Sequence, residues 1–500
     1  MIEFLFVKRK DFMSIKERFL NLFKPIDLTT GSIYKKLLIF MLPILISYLF
    51  QQVYTITDSA IVGHYLSSKE VSGVNVVYSL IFIVLQFAFG CTSGFSVITS
   101  NKKGENNLEG IRKSFACQLL LSTIISIVLT VIAVIFTPYL LEFIGLSKTS
   151  EDYTYAYDYL IIIYLGLFTQ IFYNLMVSVL RSIGDSLTPL LFLIGSTIIN
   201  IFLDLLFIVF CNLGVRGAAL ATVIAQGISF FGCLIYSLFK YKYLRVKLSD
   251  FKLEFKFVFD HLRLGLPLAL QFSILAIGLI ILQKGMIKFD VDPNVFDCKN
   301  GYGAAVKFND FLMCPLSSLG TAMLSFAGQN YGAKNKERIK KGIKQSIILM
   351  LIIYLILLAI GLLFSINGFF TNLFLSGSNN NDRVKFYAST YVIVDTSLYF
   401  ILGYLFLGRN ILQGLGKSLF PFLAGIGEMV ARVLIVEFIP YLVDPINPTS
   451  DKAFIGICFS DSLAWVFASI FLTIGLYYWV IKGNIFKDFR KENEFERIKE

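Results

Sequence analysis

The sequence predicts an all-α polytopic membrane protein, with twelve transmembrane helices in two pseudo-symmetric six-helix lobes around a central cavity. Three observations carry this. Of the 500 residues, 56% are hydrophobic and only 16% are charged, and the mean hydropathy is +0.72; a water-exposed surface of this size takes far more charge. Apolar runs of the roughly 20 residues that span a bilayer as helix recur along the chain, as at 346–366. The second half of the chain also repeats the punctuation of the first at a spacing near 230 residues. A transmembrane barrel would show short alternating segments instead.

The elements follow in order. The tail 1–36 begins with a short apolar stretch and then Lys8, Arg9 and Lys10. That is the reverse of signal-peptide order, so the first long apolar segment is expected to be retained. Six spans form the first lobe, 37–239: Leu37–Leu66, Val71–Thr99, Ser114–Glu142, Ala156–Arg181, Thr188–Leu213 and Val215–Phe239. A basic linker, 240–261, leads to the second lobe, 262–482. Its spans are Leu262–Phe289, Gly303–Tyr331, Lys344–Leu375, Lys385–Leu415, Leu419–Val443 and Phe454–Lys482. The tail 483–500 closes the chain.

Alternate loops differ sharply in charge. About 34 of the 45 Lys and Arg fall on one side, 25 of them in the two tails, the linker and the segment 332–344. The positive-inside rule places that side, with both termini, in the cytoplasm. It accounts for the net charge of +11 as an orientation signal at the surface of a plasma (inner) membrane, with no nucleic-acid partner. The membrane lipids are then the chain's surroundings, and a monomer is expected.

The repeat has three markers. Arg181–Pro189 and Leu412–Pro421 share a G-x-S-L-x-P core, the turn at 101–104 matches 329–332, and Pro43 corresponds to Pro267. Six spans per repeat preserve topology, so the lobes relate by an axis along the membrane normal. That architecture predicts a cavity between them and alternating access by rocking.

Intramembrane polar residues are the candidate site. Asn200 and Asp204 lie one helical turn apart in the apolar run 190–211, and so share one helix face. Counted from the outer ends of their spans at 1.5 Å per residue, Asp58, Asp204 and Thr222 agree in depth to about 3 Å, with Asn200 a turn deeper. A carboxylate at this depth is expensive and by default marks an ion or substrate path. Such a cluster suits proton uptake and release, or a hard-oxygen cage for a small cation such as Na+ at Asp58, Asn200 and Asp204. The competing reading is that Asn200 and Asp204 only bridge helices. In the second lobe Asp395 lies in span ten, and Glu428 and Arg432 can pair at i, i+4 in span eleven; a structural and a functional role are equally open there. Arg432 is the basic residue placed clearly mid-span. Lys307 with Asp310 is expected to be a satisfied pair at the cavity mouth, and Asp461 to lie near the outer surface. Gln271 is ambiguous.

Other chemistry is not indicated. His64 and His261 fall at span ends, where a solvated imidazole needs no explanation. The seven cysteines have no metal spacing, and no disulfide between Cys211 and the loop residue Cys298 is expected. No phosphate-binding loop with its Lys occurs, since Gly332–Glu337 lacks the spacing. An enzyme, a cofactor and an ATP-driven pump are therefore not expected; the energy source should be an ion gradient.

Along nearly its whole length the chain resembles the multidrug and toxic compound extrusion (MATE) transporters. The residues that carry the likeness are Pro43 with D-x-x-x-V-G at Asp58–Gly63, R-S-I-G-D-S-L-T-P at Arg181–Pro189, N-x-x-x-D at Asn200–Asp204 and L-G-V-R-G-A-A-L-A-T at Leu213–Thr222. G-Q-N-Y-G-A-K at Gly328–Lys334 and E-x-x-x-R at Glu428–Arg432 complete it. The resemblance implies export of organic, often cationic, drugs or metabolites in exchange for H+ or Na+. It implies that Asp58, Asn200, Asp204 and Thr222 line a cation site in the first lobe, and that Pro43 bends the first helix. The carboxylate other branches carry in span seven is missing around Gln271, which favours the branch whose cation site is in the first lobe; Asp395 could still contribute. The alternatives are a lipid-linked precursor flippase of the same superfamily, which should carry more basic residues in its cavity, and a channel, which the repeat argues against.

Overall fold

The computed structural model of the chain describes residues 24–292, 295–375, 377 and 380–487. Most of the predicted N-terminal tail and 488–500 of the C-terminal tail lie outside the described residues. Within them the chain is helical, with no strand: α1 (Ile33–Tyr65), α2 (Ser68–Gly104), α3 (Leu108–Phe143), α4 (Glu151–Leu165), α5 (Leu167–Ser182), α6 (Leu187–Asp204) and α7 (Gly214–Lys240). Then come α8 (Phe255–Ile287), α9 (Asp297–Gly332), α10 (Lys336–Ser365), α11 (Asp382–Ser397), α12 (Tyr399–Gly414), α13 (Leu419–Val443), α14 (Asp451–Cys458) and α15 (Ser460–Leu476). Ten helices are long and apolar enough to cross a membrane, and α4–α5 and α11–α12 form two bent pairs that bring the spans to twelve. Helix throughout is what a hydrocarbon solvent requires, since each backbone group must be satisfied within its own segment.

The helices overrun the predicted apolar spans where polar residues cap them. Asn107 Oδ1 accepts from Gly110 N at 2.7 Å, and Asn335 Oδ1 from Arg338 N at 3.1 Å. These caps start α3 and α10 before their apolar runs begin, as N-capping side chains do. Each cap follows a residue in the left-handed region, Asn106 (φ 55°) or Lys334 (φ 53°). The same duplication appears at the bends: Ser150 and Asn381 cap α4 and α11, and the pairs that follow bend by 47° and 54°. The loop before α6 does more than turn the chain. Buried Asp185 accepts from Thr188 N (3.0 Å), Thr188 Oγ1 (2.6 Å), Lys240 Nζ (2.9 Å) and the Tyr241 hydroxyl (2.7 Å), and so fastens the start of α6 to the end of α7.

The halves meet along α2, α8 and α9. A Cβ on Gly90 would stand 2.4 Å from Ala269 Cα, and one on Gly94 2.5 Å from Gly265 Cα, so α2 and α8 touch backbone to backbone. The ends of α2 and α9 meet on the side of the basic loops. A Cβ on Gly104 would stand 1.9 Å from Gln329 O, and one on Gly332 1.9 Å from Asn101 O; neither position admits a side chain. Ser100 Oγ donates to Ser325 O (3.3 Å) and Gln329 Nε2 to Ser182 O (2.9 Å) beside them. The segment before α1 crosses the same seam. Leu28 N donates to Gln329 Oε1 (3.1 Å), and its carbonyl accepts from Asn330 Nδ2 (3.2 Å) and Arg338 Nε (3.0 Å).

Helix α1 runs through Pro43 without a break. Its first half belongs to the other half's core: Leu28, Leu37, Phe40 and Ile44 are fully buried with Leu319, Met323 and Leu412. The first span is thus shared between the halves, although its sequence position assigns it to the first. Between α7 and α8 the linker forms two short 3-10 turns, and Arg112 Nε binds Asp250 Oδ2 at 2.8 Å, tying it to α3.

Candidate functional site

A cavity of about 580 Å³ lies between the halves. At one end its walls carry Asp58, Tyr78, Thr222 and Asp310; towards the sealed side they carry Ser96, Arg181, Ser325, Arg409 and Gln413. Aromatic and amide side chains fill the space between, among them Tyr48, Phe89, Gln170, Asn174 and Phe272.

The first-half residues converge at the open end. Helices α1 and α6 pack together, as do α6 and α7. The Asp58 and Asp204 carboxyls are near neighbours, though no hydrogen bond joins them. Asp58 lines the cavity, whereas Asp204 (0% exposed) and Asn200 (1%) sit behind it. Both Asp204 oxygens, both Asn200 amide atoms and Asp58 Oδ1 are buried without a hydrogen-bond partner. Buried polar atoms are nearly always satisfied, so five orphans in one place call for a reason. Thr222 lines the same cavity as Tyr54 of α1. The helix widens into a π-turn, Leu205–Phe210, directly after Asp204; such widenings are frequent at functional positions.

The second-half residues form a different structure. Arg432 Nη2 reaches Asp461 Oδ1 (2.6 Å) and Glu428 Oε1 (3.2 Å), and its Nε also donates to Asp461 Oδ1 (3.0 Å). Glu428 Oε2 accepts from Arg409 Nη2 (2.8 Å), and Asp461 Oδ2 from the Tyr391 hydroxyl (2.5 Å). Asp395 stands beside the network and accepts from Asn309 Nδ2 at 2.8 Å. Gln271 is fully buried; with its amide oriented to suit its neighbours, its oxygen accepts from Arg409 Nε at 2.8 Å and its nitrogen donates to Pro421 O at 3.2 Å.

Four expectations need correction. Asp461 is not near a surface: it is 5% exposed and is the main partner of Arg432. Lys307 and Asp310 make no ion pair; Lys307 is exposed and Asp310 faces the cavity. His261 is fully buried, because α8 starts at Phe255, before the apolar run. Its Nε2 meets Ser114 Oγ at 2.9 Å, and its Nδ1 donates to Phe257 O at 2.8 Å. Cys298 lies in the first turn of α9, and all seven cysteines are free. Arg432 is also joined by two further buried arginines, Arg181 and Arg409, which apolar-run counting had left at span ends.

Sequence reasoning missed Tyr54, Tyr391, Asn309 and Arg409. The first two had a usable signal: Tyr54 precedes Asp58, and Tyr391 precedes Asp395, by one helical turn, so each shares its acid's face. Asn309 and Arg409 had none, because their partners lie on other helices.

The MatE family model matches residues 43–206 and 300–436, more than half of the chain. The probable multidrug resistance protein YpnP of Bacillus subtilis is 30% identical over 321 residues, covering 63% of this chain and 69% of its own. The probable multidrug resistance protein NorM of Thermotoga maritima is 24% identical over 324 residues, covering 64% and 68%. A crystal structure of MATE in the bent conformation superposes with a TM-score of 0.79 at 21% identity, over 92% of this chain and 100% of that one.

Proposed function

Since the chain belongs to the MatE family, we propose that it is a secondary active antiporter that exports organic compounds, many of them cationic, in exchange for H+ or Na+. The relatives' description as multidrug resistance proteins supports the export of small organic molecules. The observation that carries the coupling is the group of five unpartnered polar atoms on Asp58, Asn200 and Asp204. Two facing carboxyls in a buried site favour a shared proton or a cation between them, and the asparagine oxygen adds a third hard ligand.

The mechanism follows from position. Asp58 faces the cavity while Asp204 lies behind it on α6, so an ion entering from the open end reaches Asp58 first and then bridges α1 to α6. Drawing these helices together alters the cavity wall on which Tyr54, Asp58 and Thr222 stand, and releases bound substrate outwards. The membrane is the plasma membrane and the basic-loop side is cytoplasmic, as the loop charges imply. The protein reconstituted in liposomes tests this. Asp204→Asn should cut export of a fluorescent cation at least several-fold under both a pH and an Na+ gradient; export at the wild-type rate under both would sink the coupling role.

The flippase reading draws on Arg181 and Arg409, two basic residues in the cavity wall. Arg409 is already held by Glu428, however, and the described residues make twelve spans without the extra helices that reading expects. Binding of a lipid-linked precursor to the purified protein would revive it.

A further inference from the structure

Three arginines are buried among the described residues: Arg181, Arg409 and Arg432. Two of them are paired with carboxylates, Arg409 with Glu428 and Arg432 with Glu428 and Asp461. Arg181 is not. It is 8% exposed, lines the sealed end of the cavity, and its Nε is buried without a partner. Its one neighbour of note is the Tyr48 ring, 5.5 Å from the guanidinium carbon. That ring is fixed in turn by a 2.9 Å bond between the Tyr48 hydroxyl and Thr321. The guanidinium therefore lies over an aromatic ring at the seam between α1, α5 and α9, and no side-chain hydrogen bond to a protein acceptor holds it.

A buried guanidinium without a counter-charge is costly and, inside a membrane protein, marks a path or a ligand. The cavity's own carboxylates are too distant to serve. Asp58 lies ten residues along α1 from Tyr48, and Asp310 eleven along α9 from Thr321, which at 1.5 Å per residue is roughly 15 Å. The cavity is thus polarised along its length, acidic at the open end and cationic at the closed end. Ser178 and Asn174 line the same wall and add neutral groups able to donate hydrogen bonds.

We propose that the closed end of the cavity is an anion site, in which Arg181 receives the carboxylate or phosphate group of a bound compound. A planar guanidinium forks onto such a group through two parallel N–H donors, and the free edge of Arg181 offers that geometry. The transported compounds then include organic anions and zwitterions alongside cations. The proposal rests on the cavity being the transport path and narrows what travels along it.

The test uses two dyes that differ only in a free carboxylate, rhodamine 110 and its methyl ester rhodamine 123, with the full-length protein in phosphatidylcholine nanodiscs. Fluorescence anisotropy should show the wild-type protein binding rhodamine 110 more tightly, with the advantage shrinking as salt rises. Arg181→Gln should weaken rhodamine 110 binding by about tenfold, the scale of one charge-assisted pair, and leave rhodamine 123 within twofold; Arg181→Lys should recover part of the loss. No preference in the wild-type protein, or an equal loss for both dyes in a folded variant, overturns the site. The wild-type comparison stands even if Arg181→Gln fails to fold. Adding phosphatidylglycerol to the nanodiscs identifies the source of the anion: displacement of rhodamine 110 places a lipid headgroup at Arg181, and no displacement leaves a soluble compound. Gradient-driven export of rhodamine 123, which lacks the carboxylate, examines the antiporter reading independently of Arg181.

Discussion

Each half of this protein buries acids within the membrane, and the two halves treat them in opposite ways. In the first half, Asp58, Asn200 and Asp204 come together with five polar atoms unpartnered. In the second, Glu428 and Asp461 are each held by arginine and one Asp395 oxygen by Asn309, while Asp395 Oδ1, Asn309 Oδ1 and Arg432 Nη1 are buried without a partner. On the proposed coupling, a proton or a cation completes the first arrangement. The second answers Glu428 and Asp461 with arginine and ties α12, α13 and α15 together, with Asp395 the exception. Buried charge alone therefore does not mark a candidate coupling site; whether an opposite charge answers it separates the two clusters.

Several substitutions would break or sharpen this contrast. The largest effect is expected at Arg432. Replacing it with Met strands Asp461, leaves Glu428 with Arg409 alone, and should lower stability by about 3–5 kcal/mol, the usual penalty for breaking a buried pair. Thermal unfolding in detergent measures it; an unchanged midpoint would mean the second network holds nothing together. Asp204→Asn should do the reverse, with stability kept or raised and ion-coupled export falling by roughly 5–150-fold, the range of typical coupling energies. A loss of stability on the scale of the Arg432 variant would erase the distinction between the halves. A finer effect is expected from Tyr54→Phe, which removes a polar hydroxyl from the cavity wall beside Thr222. It should cost about 1 kcal/mol, read as a shift in the ion concentration at half-maximal export with little change in maximal rate.

The smallest effect lies outside the membrane. Burial pushes the Asp250 carboxyl up, but the bonds from Arg112 and from the Lys247 backbone N–H outweigh it and hold the group below the usual carboxylate range. Its contribution to stability is then full above the unfolded carboxylate value, about 3.9, and is lost as pH falls through the folded one. Arg112→Gln should lower the unfolding midpoint at pH 7 slightly, and the gap from wild type should close on acidification below pH about 4.

The sequence makes the helices and the first-half site legible for one reason: lipid is an unforgiving solvent. Twelve apolar segments and an i, i+4 pair of polar residues can be seen without any knowledge of neighbours, and depth follows from counting. What pairs with what cannot be counted. Asp461 and Lys307 both sit near span ends, yet one is locked to Arg432 and the other is exposed, because the deciding partners lie on other helices. His261 was misread for a related reason. Its helix begins before the apolar run, and the helix wall that buries it comes from α3. The bent pairs are intermediate: their positions repeat near 230 residues, but the bend itself appears only when the broken helices pack.

The contact between Gly104 and Gly332 has a consequence of its own. Gly104 rests on the carbonyl of Gln329, and Gly332 rests on the carbonyl of Asn101; each partner occupies the position in its half that the other occupies in the opposite half. That reciprocity is the geometry of an isologous interface, the kind two identical subunits form about a twofold axis. Here both subunits are in one polypeptide. A face of this kind is complementary to itself, so any side chain acceptable at one glycine must be acceptable at the other while the two halves remain alike. Joining the halves in a single chain removes that constraint, and the polar interiors have diverged while the seam between them has kept its symmetry.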